Sequence, residues 1–174
     1  TIQQPIKDLS KEAVKTLINE SPGEDKQEVK KMEQEDAGSH EGCPIPSEKA
    51  KLQLPKVYEN NERVREYLTK ERKISEKIID QMFAEGKIYE DAVKHNVIFI
   101  GCDPKGTVRY AGIRGTKEKY RGDAPGSEKA YGFSHTGTDD TLFVFEAPID
   151  LLSFLSATGD GWETHHYISL GGVS

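Results

Sequence analysis

Two carboxylates, Glu146 and Asp150, have the spacing of a divalent-cation site. Glu146 directly follows the apolar run Leu142–Phe145, and Asp150 lies four residues later, where the apolar pattern changes to that of a helix. Mg²⁺ takes few protein oxygens and keeps water ligands for phosphate chemistry, so two such carboxylates suit it. The alternative interpretation is that Asp150 only favours the helix N-terminus, while Glu146 is a solvated strand end.

A basic stretch supplies the second candidate site. Between positions 105 and 121 the chain has six basic residues and one acidic residue, although its formal net charge is −6. Tyrosines interleave with these cations, so phosphate contacts and base stacking are both available. The alternative is a charged hairpin whose cations are simply solvated. Strand alternation makes Arg109 the weaker candidate; the better ones are Arg114, Lys119 and Arg121, with Lys129 in the following loop.

Strand, helix and strand must position the carboxylates. The bulk of Leu142–Phe145 predicts a strand buried on both faces, residues 149–155 predict a helix, and residues 166–170 predict a second strand. A short crossover of this kind predicts a βαβ unit with parallel pairing. Ligands of such sheets bind beyond the carboxyl ends of the strands, where Glu146 and the pair Gly171–Gly172 would lie.

An antiparallel hairpin and two helices must position the basic stretch. Residues 97–102 and 108–114 predict strands joined by a turn with proline at its second position. Upstream, one helix is expected to run to about Lys70 and a second from Ser75 to Gly86. Residues 115–130, rich in glycine, lysine and arginine, predict a loop.

The segment FVFEAPIDLLSFL, residues 143–155, resembles the first motif of the TOPRIM fold shared by bacterial-type primases, topoisomerases and related nucleases. HHYISLGGVS resembles the family's next strand, and residues 64–133 resemble the region before TOPRIM in primase-like proteins of plasmids and other mobile elements. Ala147 stands where the family usually has glycine. The family's later Asp-x-Asp motif would lie beyond Ser174, so the metal site is expected to be incomplete in this chain.

The resemblance implies a function for both candidate sites. It implies Mg²⁺-dependent nucleotidyl or phosphoryl transfer in the replication of a mobile element, with Glu146 as metal ligand and catalytic acid or base and Asp150 in support. DNA and nucleotides are the implied partners, replication proteins are further ones, and the fragment alone is expected to be inactive. The alternatives are a non-catalytic module that binds DNA or a replication partner, and a TOPRIM-type nuclease. The residues carried over to nucleic-acid and nucleotide binding are Arg114, Lys119, Arg121 and Lys129.

The fold class expected is α+β, with N-terminal helices and an antiparallel hairpin leading into the first βαβ unit of a TOPRIM-like α/β domain. We expect a short helix in residues 1–20, a disordered charged linker in 21–51, a primase-like region in 52–135 and the start of a TOPRIM-like domain in 136–174. The chain of 174 residues is expected to be a piece of a longer protein. No apolar run approaches the length of a membrane span, which predicts a cytoplasmic protein without a membrane partner.

Overall fold

The computed structural model describes residues 50–172 of the chain. The predicted helix in residues 1–20 and almost all of the predicted linker in 21–51 lie outside the described residues. The described part has an α+β fold, as predicted from the sequence, with two small sheets and three helices.

The first sheet is antiparallel and carries the basic hairpin. Its four strands, in the order of the sheet, are β1 (Ile88–Glu90), β2 (Val97–Cys102), β3 (Val108–Arg114) and β4 (Arg121–Asp123). The prediction of a β2–β3 hairpin is therefore confirmed. The prediction of a continuous loop over 115–130 is wrong, because the chain turns back after β3 and pairs Arg121 with Arg114 and Asp123 with Gly112. A 3₁₀ turn, Lys129–Tyr131, follows.

Two helices precede this sheet. Helix α1 (Glu62–Glu66) continues into a π-helical turn, Tyr67–Glu71, and helix α2 spans Glu76–Ala84. Ser75 is the residue at the N-cap of α2, whose apolar stripe of Ile78, Ile79 and Met82 is buried. The π turn is closed by the Arg72 N–H, which donates to the Tyr67 carbonyl at 3.1 Å. Single π turns are frequent at functional sites, and this one places Arg72 at its end.

The second sheet contains the predicted strand–helix–strand unit. Its strands are β5 (Ser134–His135), β6 (Leu142–Phe145) and β7 (His166–Ser169), with β7 in the centre. Helix α3 (Pro148–Thr158) and a 3₁₀ turn, Trp162–Thr164, connect β6 to β7. Strands β6 and β7 pair in parallel, as predicted from the short crossover, whereas β5 pairs with β7 in the antiparallel direction.

Strand β6 is buried on one face only, so the prediction that it is buried on both faces is wrong. Leu142 and Val144 are 59% and 54% exposed, whereas Phe143 and Phe145 pack against the ring of Phe154 on α3. The physical reason is that β6 is an edge strand and α3 covers a single face of its sheet. Its run of bulky residues reflects one packed aromatic face and one exposed aliphatic face.

The two sheets share one hydrophobic core, so the β3–β4 hairpin of the first sheet lies close to the β6–α3 junction of the second. The ring of Phe99 on β2 meets Phe133, just before β5, at 5.4 Å between centroids, and both belong to the cluster that contains Leu151 and Tyr167. The backbone approaches closely at Gly132, where a Cβ atom would lie 2.1 Å from the Ser169 carbonyl oxygen. The boundary between the predicted regions 52–135 and 136–174 therefore falls at the end of β5, within the second sheet and beside the common core.

Candidate functional site

A cavity of about 230 Å³ lies where the β3–β4 hairpin meets the start of α3. Its lining includes four residues predicted from the sequence to be functional: Arg114, Arg121, Glu146 and Asp150. The carboxylates and the basic hairpin, which the sequence presents as separate motifs, therefore share one site. Arg72, Asp123 and the backbone of Gly171–Gly172 also line it.

The acidic side of the cavity comes from the β6–α3 junction. Glu146 follows the last residue of β6, and its carbonyl oxygen accepts the Gly172 N–H at 2.8 Å, which ties the ends of the two parallel strands together. Asp150 lies in the first turn of α3, whose first residue is Pro148. Both side chains are exposed, and within residues 50–172 neither carboxylate has a hydrogen-bond or ion-pair partner. They are therefore available to a ligand.

The basic side comes from two neighbouring strands and the π turn. Arg114 ends β3, Arg121 begins β4, and the two are paired across the strands. The Arg114 Nε donates to the Tyr67 hydroxyl at 3.3 Å, so the π turn holds this guanidinium while Arg72, one residue past the turn, supplies another. Guanidinium groups match phosphate oxygens in geometry as well as charge. Three arginines in one cavity make it suited to a phosphorylated ligand.

Asp123 and Tyr110 form a hydrogen-bonded pair next to the arginines of the cavity. The Tyr110 hydroxyl donates to Asp123 Oδ1 at 2.7 Å, and the Lys129 Nζ lies 3.7 Å from Asp123 Oδ2. Burial, and after it the hydrogen bond to the Asp123 carboxylate, raises the pKa of the Tyr110 hydroxyl. The phenol thus remains a neutral donor, and Asp123 is held at the cavity wall by two partners.

Three of the predicted binding residues lie outside the cavity lining. Arg109 forms ion pairs with Asp103 at 3.0 Å and with Glu128 at 3.7 Å, and the hydrogen bond to Asp103 raises the pKa of its guanidinium. Lys129 lies beside Asp123, and Lys119 is exposed on the loop between β3 and β4. The structure therefore divides the basic stretch: Arg114 and Arg121 line the cavity, Arg109 lies in a local network, and Lys119 faces solvent.

Glu146 and Asp150 supply carboxylate oxygens, the ligand type that magnesium takes, in one cavity. Mg²⁺ is commonly bound through one or two carboxylates, with water and substrate phosphates completing the octahedron. Within residues 50–172 no three or more His, Cys, Asp or Glu side chains gather in a group that could hold a metal ion. Asp123 is a further carboxylate in the cavity lining, but it is held by Tyr110 and Lys129.

Reasoning from the sequence missed Arg72 and Asp123 as parts of this site, and it predicted base stacking for Tyr110, whose ring is buried. Arg72 follows a π turn, which has no distinctive sequence pattern. Asp123 lies in a three-residue strand without an apolar side chain, so no alternating pattern marks it. Strand alternation does place Tyr110 on the face of β3 opposite Arg109 and Ala111, but it does not reveal that this face is covered at Tyr110.

Comparisons with known proteins give the chain a family likeness without a function. A family model described as "Protein of unknown function (DUF3991)" matches residues 66–140, which include the basic hairpin and end before Glu146. An uncharacterized protein of Bacillus anthracis, designated pXO2-78, is 32% identical over an alignment of 121 residues that covers 64% of this chain and 35% of that protein. The chain thus spans about a third of the length of this relative. No solved structure matches the chain significantly.

The described helices also bear on membrane association. Among residues 50–172, no helix has both the length and the apolar character needed to cross a bilayer.

Proposed function

We propose that the intact protein carries out nucleotidyl or phosphoryl transfer on nucleic acid, as primase-like TOPRIM proteins do, and that this chain supplies part of its site. The observation that carries the proposal is the single cavity in which Arg72, Arg114 and Arg121 meet Glu146 and Asp150. Arginines bind the phosphates of a nucleotide or template, while carboxylates hold a divalent ion and handle protons. Both functions belong to phosphoryl transfer, whose catalysis consists mainly of positioning and charge stabilisation.

The residues of this chain have separate roles in the proposal. Arg114 and Arg121 bind phosphate oxygens, and Tyr67 fixes the direction of Arg114. Glu146 and Asp150 would hold a magnesium ion, and Glu146 would move a proton to or from the reacting oxygen. When bound, the ion neutralises phosphate charge and polarises the phosphoryl group. The TOPRIM-like character of the βαβ unit and the cytoplasmic location are part of the same proposal.

One observation outside the cavity is consistent with a protein of a mobile element: the Bacillus anthracis relative, itself uncharacterized, is plasmid-encoded. The family model covers the basic hairpin but not Glu146, so the cationic surface lies in the matched part of the chain. DNA and nucleotides are the proposed partners, with replication proteins in addition.

Magnesium-dependent binding of a nucleoside triphosphate tests the proposal with the full 174-residue chain. Fluorescence anisotropy with a labelled triphosphate, with and without Mg²⁺, should show tighter binding with the ion. Glu146→Gln should remove most of that magnesium effect, and Arg121→Ala should weaken binding about tenfold with or without the ion, since it removes a charge-assisted hydrogen bond to phosphate. Glu59→Gln, an exposed glutamate outside the cavity lining, is the matched control.

The proposed function would be excluded if Glu146→Gln changed the magnesium dependence of triphosphate binding no more than the control Glu59→Gln does. In the longer protein, Glu146→Gln should also abolish nucleotide polymerisation or strand cleavage while leaving DNA binding nearly unchanged. Polymerisation would identify a primase and cleavage a nuclease, because both chemistries use the same carboxylates.

A non-catalytic nucleic-acid-binding module is the second candidate. It is favoured by Tyr120, which is 47% exposed next to the lysines of the β3–β4 loop, an arrangement that serves base stacking and backbone binding without chemistry. DNA binding that requires the arginines, but neither Mg²⁺ nor Glu146, would select this candidate.

A further inference from the structure

A second cavity, of about 270 Å³, lies at the other end of the β3–β4 loop. It is formed by two loops, residues 91–96 between β1 and β2 and residues 115–120 between β3 and β4. Lys94 of the first loop and Lys117 of the second line it together with Tyr120 and one carboxylate, Glu118. Within the described part of the chain, neither lysine forms an ion pair, so their charges are available to an anionic ligand.

The loop that carries Lys94 is held rigidly by buried carboxylates. Asp91 accepts backbone N–H groups of Val93, Lys94 and Asn96 through its two carboxylate oxygens, at 2.8 to 2.9 Å. Glu90, which is 1% exposed, contacts His95 Nδ1 at 2.6 Å. The backbone of the loop that carries Lys94 is therefore pre-organised, which reduces the conformational entropy lost when a ligand binds.

The two loops are also joined to each other. The Thr116 hydroxyl, from the β3–β4 loop, donates to the His95 carbonyl oxygen at 2.9 Å. This bond holds the neighbours of Lys94 and Lys117 together, so the two lysines form one surface.

Tyr120 connects the second cavity to the first. Its side chain lines the second cavity, and its ring lies against Gly122, which lines the first: a Cβ atom at Gly122 would come within 2.8 Å of the Tyr120 hydroxyl oxygen. The next residue along the chain, Arg121, lines the first cavity. An exposed aromatic ring thus lies between a cavity with three arginines and a cavity with two lysines.

We propose that single-stranded nucleic acid extends from the first cavity across Tyr120, where a base stacks on the ring, and that its following phosphates bind Lys117 and Lys94. The inference rests on the proposed function of the first cavity and adds the path of the strand outside it. Alternating cations and an exposed ring are the features by which single strands are bound without sequence preference. An acidic peptide would use the lysines but would have no need of the ring.

Binding of oligonucleotides by the full chain tests the path. A twelve-nucleotide oligothymidine should bind about tenfold more weakly to Tyr120→Leu, since stacking on an aromatic side chain contributes strongly to each bound base. Tyr120→Phe should restore the binding, because the ring is kept and only the hydroxyl is removed. Removing both lysines, Lys94→Ala with Lys117→Ala, should lower the slope of log affinity against log salt by about 0.7 for each phosphate that the lysines no longer neutralise.

Two controls separate the path from general charge and from the first cavity. Lys105→Ala removes an exposed lysine from the β2–β3 turn, outside both cavity linings, and should leave oligonucleotide binding unchanged. Thymidine triphosphate, which occupies only the first cavity, should bind Tyr120→Leu and the unsubstituted chain equally. An oligouridine of the same length identifies whether RNA is bound as well as DNA, and tight binding of either supports the path.

Two results would overturn the path. One is oligothymidine affinity that does not change in Tyr120→Leu and in the double lysine variant. The other is displacement of the oligonucleotide by polyglutamate of equal charge as effectively as by unlabelled oligothymidine, which would assign the surface to acidic polypeptides. A different result would refute the proposed function of the first cavity. In that case Glu146→Gln and Arg121→Ala would leave triphosphate binding unchanged, while Tyr120→Leu would still weaken oligonucleotide binding.

Discussion

Gly171, which follows β7, lies against the hydroxyl group of Tyr110 at the candidate site. Gly171→Ala should therefore disturb both the backbone at this position and the hydrogen bond that Tyr110 makes. The residue has φ of +70°, in the left-handed region that side-chain-bearing residues avoid. A Cβ atom there would lie 2.5 Å from the hydroxyl oxygen of Tyr110. That hydroxyl donates to Asp123 at 2.7 Å, so the added methyl group must displace a bonded phenol.

Two contributions set the size of the effect. A left-handed conformation costs a residue with a side chain roughly 1–2 kcal/mol. A hydrogen bond to a charged group is worth about 1.5–3 kcal/mol, and it is broken if the phenol moves away from Asp123. We therefore expect Gly171→Ala to lower the free energy of unfolding by about 3–4 kcal/mol, which for a chain of this length lowers the melting temperature by about 10 °C.

Gly172→Ala is the matched control for this prediction. Gly172 has φ of +93° and also lines the cavity, but a Cβ atom there would meet nothing within 4 Å. It should therefore cost only the conformational contribution, about 3–6 °C in melting temperature. The difference between the two neighbouring glycines isolates the contact with Tyr110.

A double-mutant cycle with Tyr110→Phe completes the test. Removing the hydroxyl relieves the closest contact of the added methyl group and also removes the hydrogen bond that Gly171→Ala would break. Gly171→Ala should then cost only about 1–2 kcal/mol, so the two substitutions should be coupled by about 2 kcal/mol in denaturant unfolding. Equal losses for Gly171→Ala and Gly172→Ala, or additive effects in the cycle, would refute the role assigned to the Tyr110–Asp123 bond.

Two further predictions concern the loop of the second cavity and the edge strand. Burial raises the pKa of Asp91, but hydrogen bonds from three backbone N–H groups outweigh it and keep the pKa below its ordinary value. The resulting stability is present in full above the unfolded pKa of about 3.9 and is lost as the pH falls through the lower folded pKa, so Asp91→Asn should destabilise the chain at neutral pH and progressively less as the pH falls below that unfolded pKa, as measured by urea unfolding. Phe143→Ala should lower the free energy of unfolding by about 2–4 kcal/mol, because the Phe143 ring stacks on Tyr167 at 5.3 Å between centroids. Val144→Ala, on the exposed face of β6, should change it by less than about 1 kcal/mol. Similar losses for the two variants in thermal unfolding would contradict one-sided burial of β6.

Local patterns were enough to predict the elements whose apolar residues are periodic. The β2–β3 hairpin follows from two apolar runs around a turn, and α2 follows from the spacing of Ile78, Ile79 and Met82. The parallel pairing of β6 and β7 follows from the short crossover between them. In each case the residues that determine the element lie within it, which makes it predictable from a single sequence.

Elements defined by their partners were not predictable in this way. Strand β4, Arg121–Asp123, has no apolar side chain, and it forms because the chain after β3 returns in register with it. The burial of β6 was overestimated because an apolar run does not reveal whether one or both faces of its sheet are covered. Arg72 and Asp123 join the site through packing between distant segments, which neither residue type nor spacing records.

The site depends on the join between the two sheets. Arginines alone would make a surface for any polyanion, and the carboxylates of Glu146 and Asp150 alone would repel one. Together in one cavity they suit a ligand that brings phosphate and a divalent cation at once, because each charge on the ligand then has a counterpart on the protein. The close approach of Gly132 to β7 and the contact of Phe99 with Phe133 belong to the packing that joins the sheets carrying these two groups. A substitution that disturbs this packing, such as Gly132→Val, should therefore weaken magnesium-dependent triphosphate binding more than it weakens oligonucleotide binding at Tyr120.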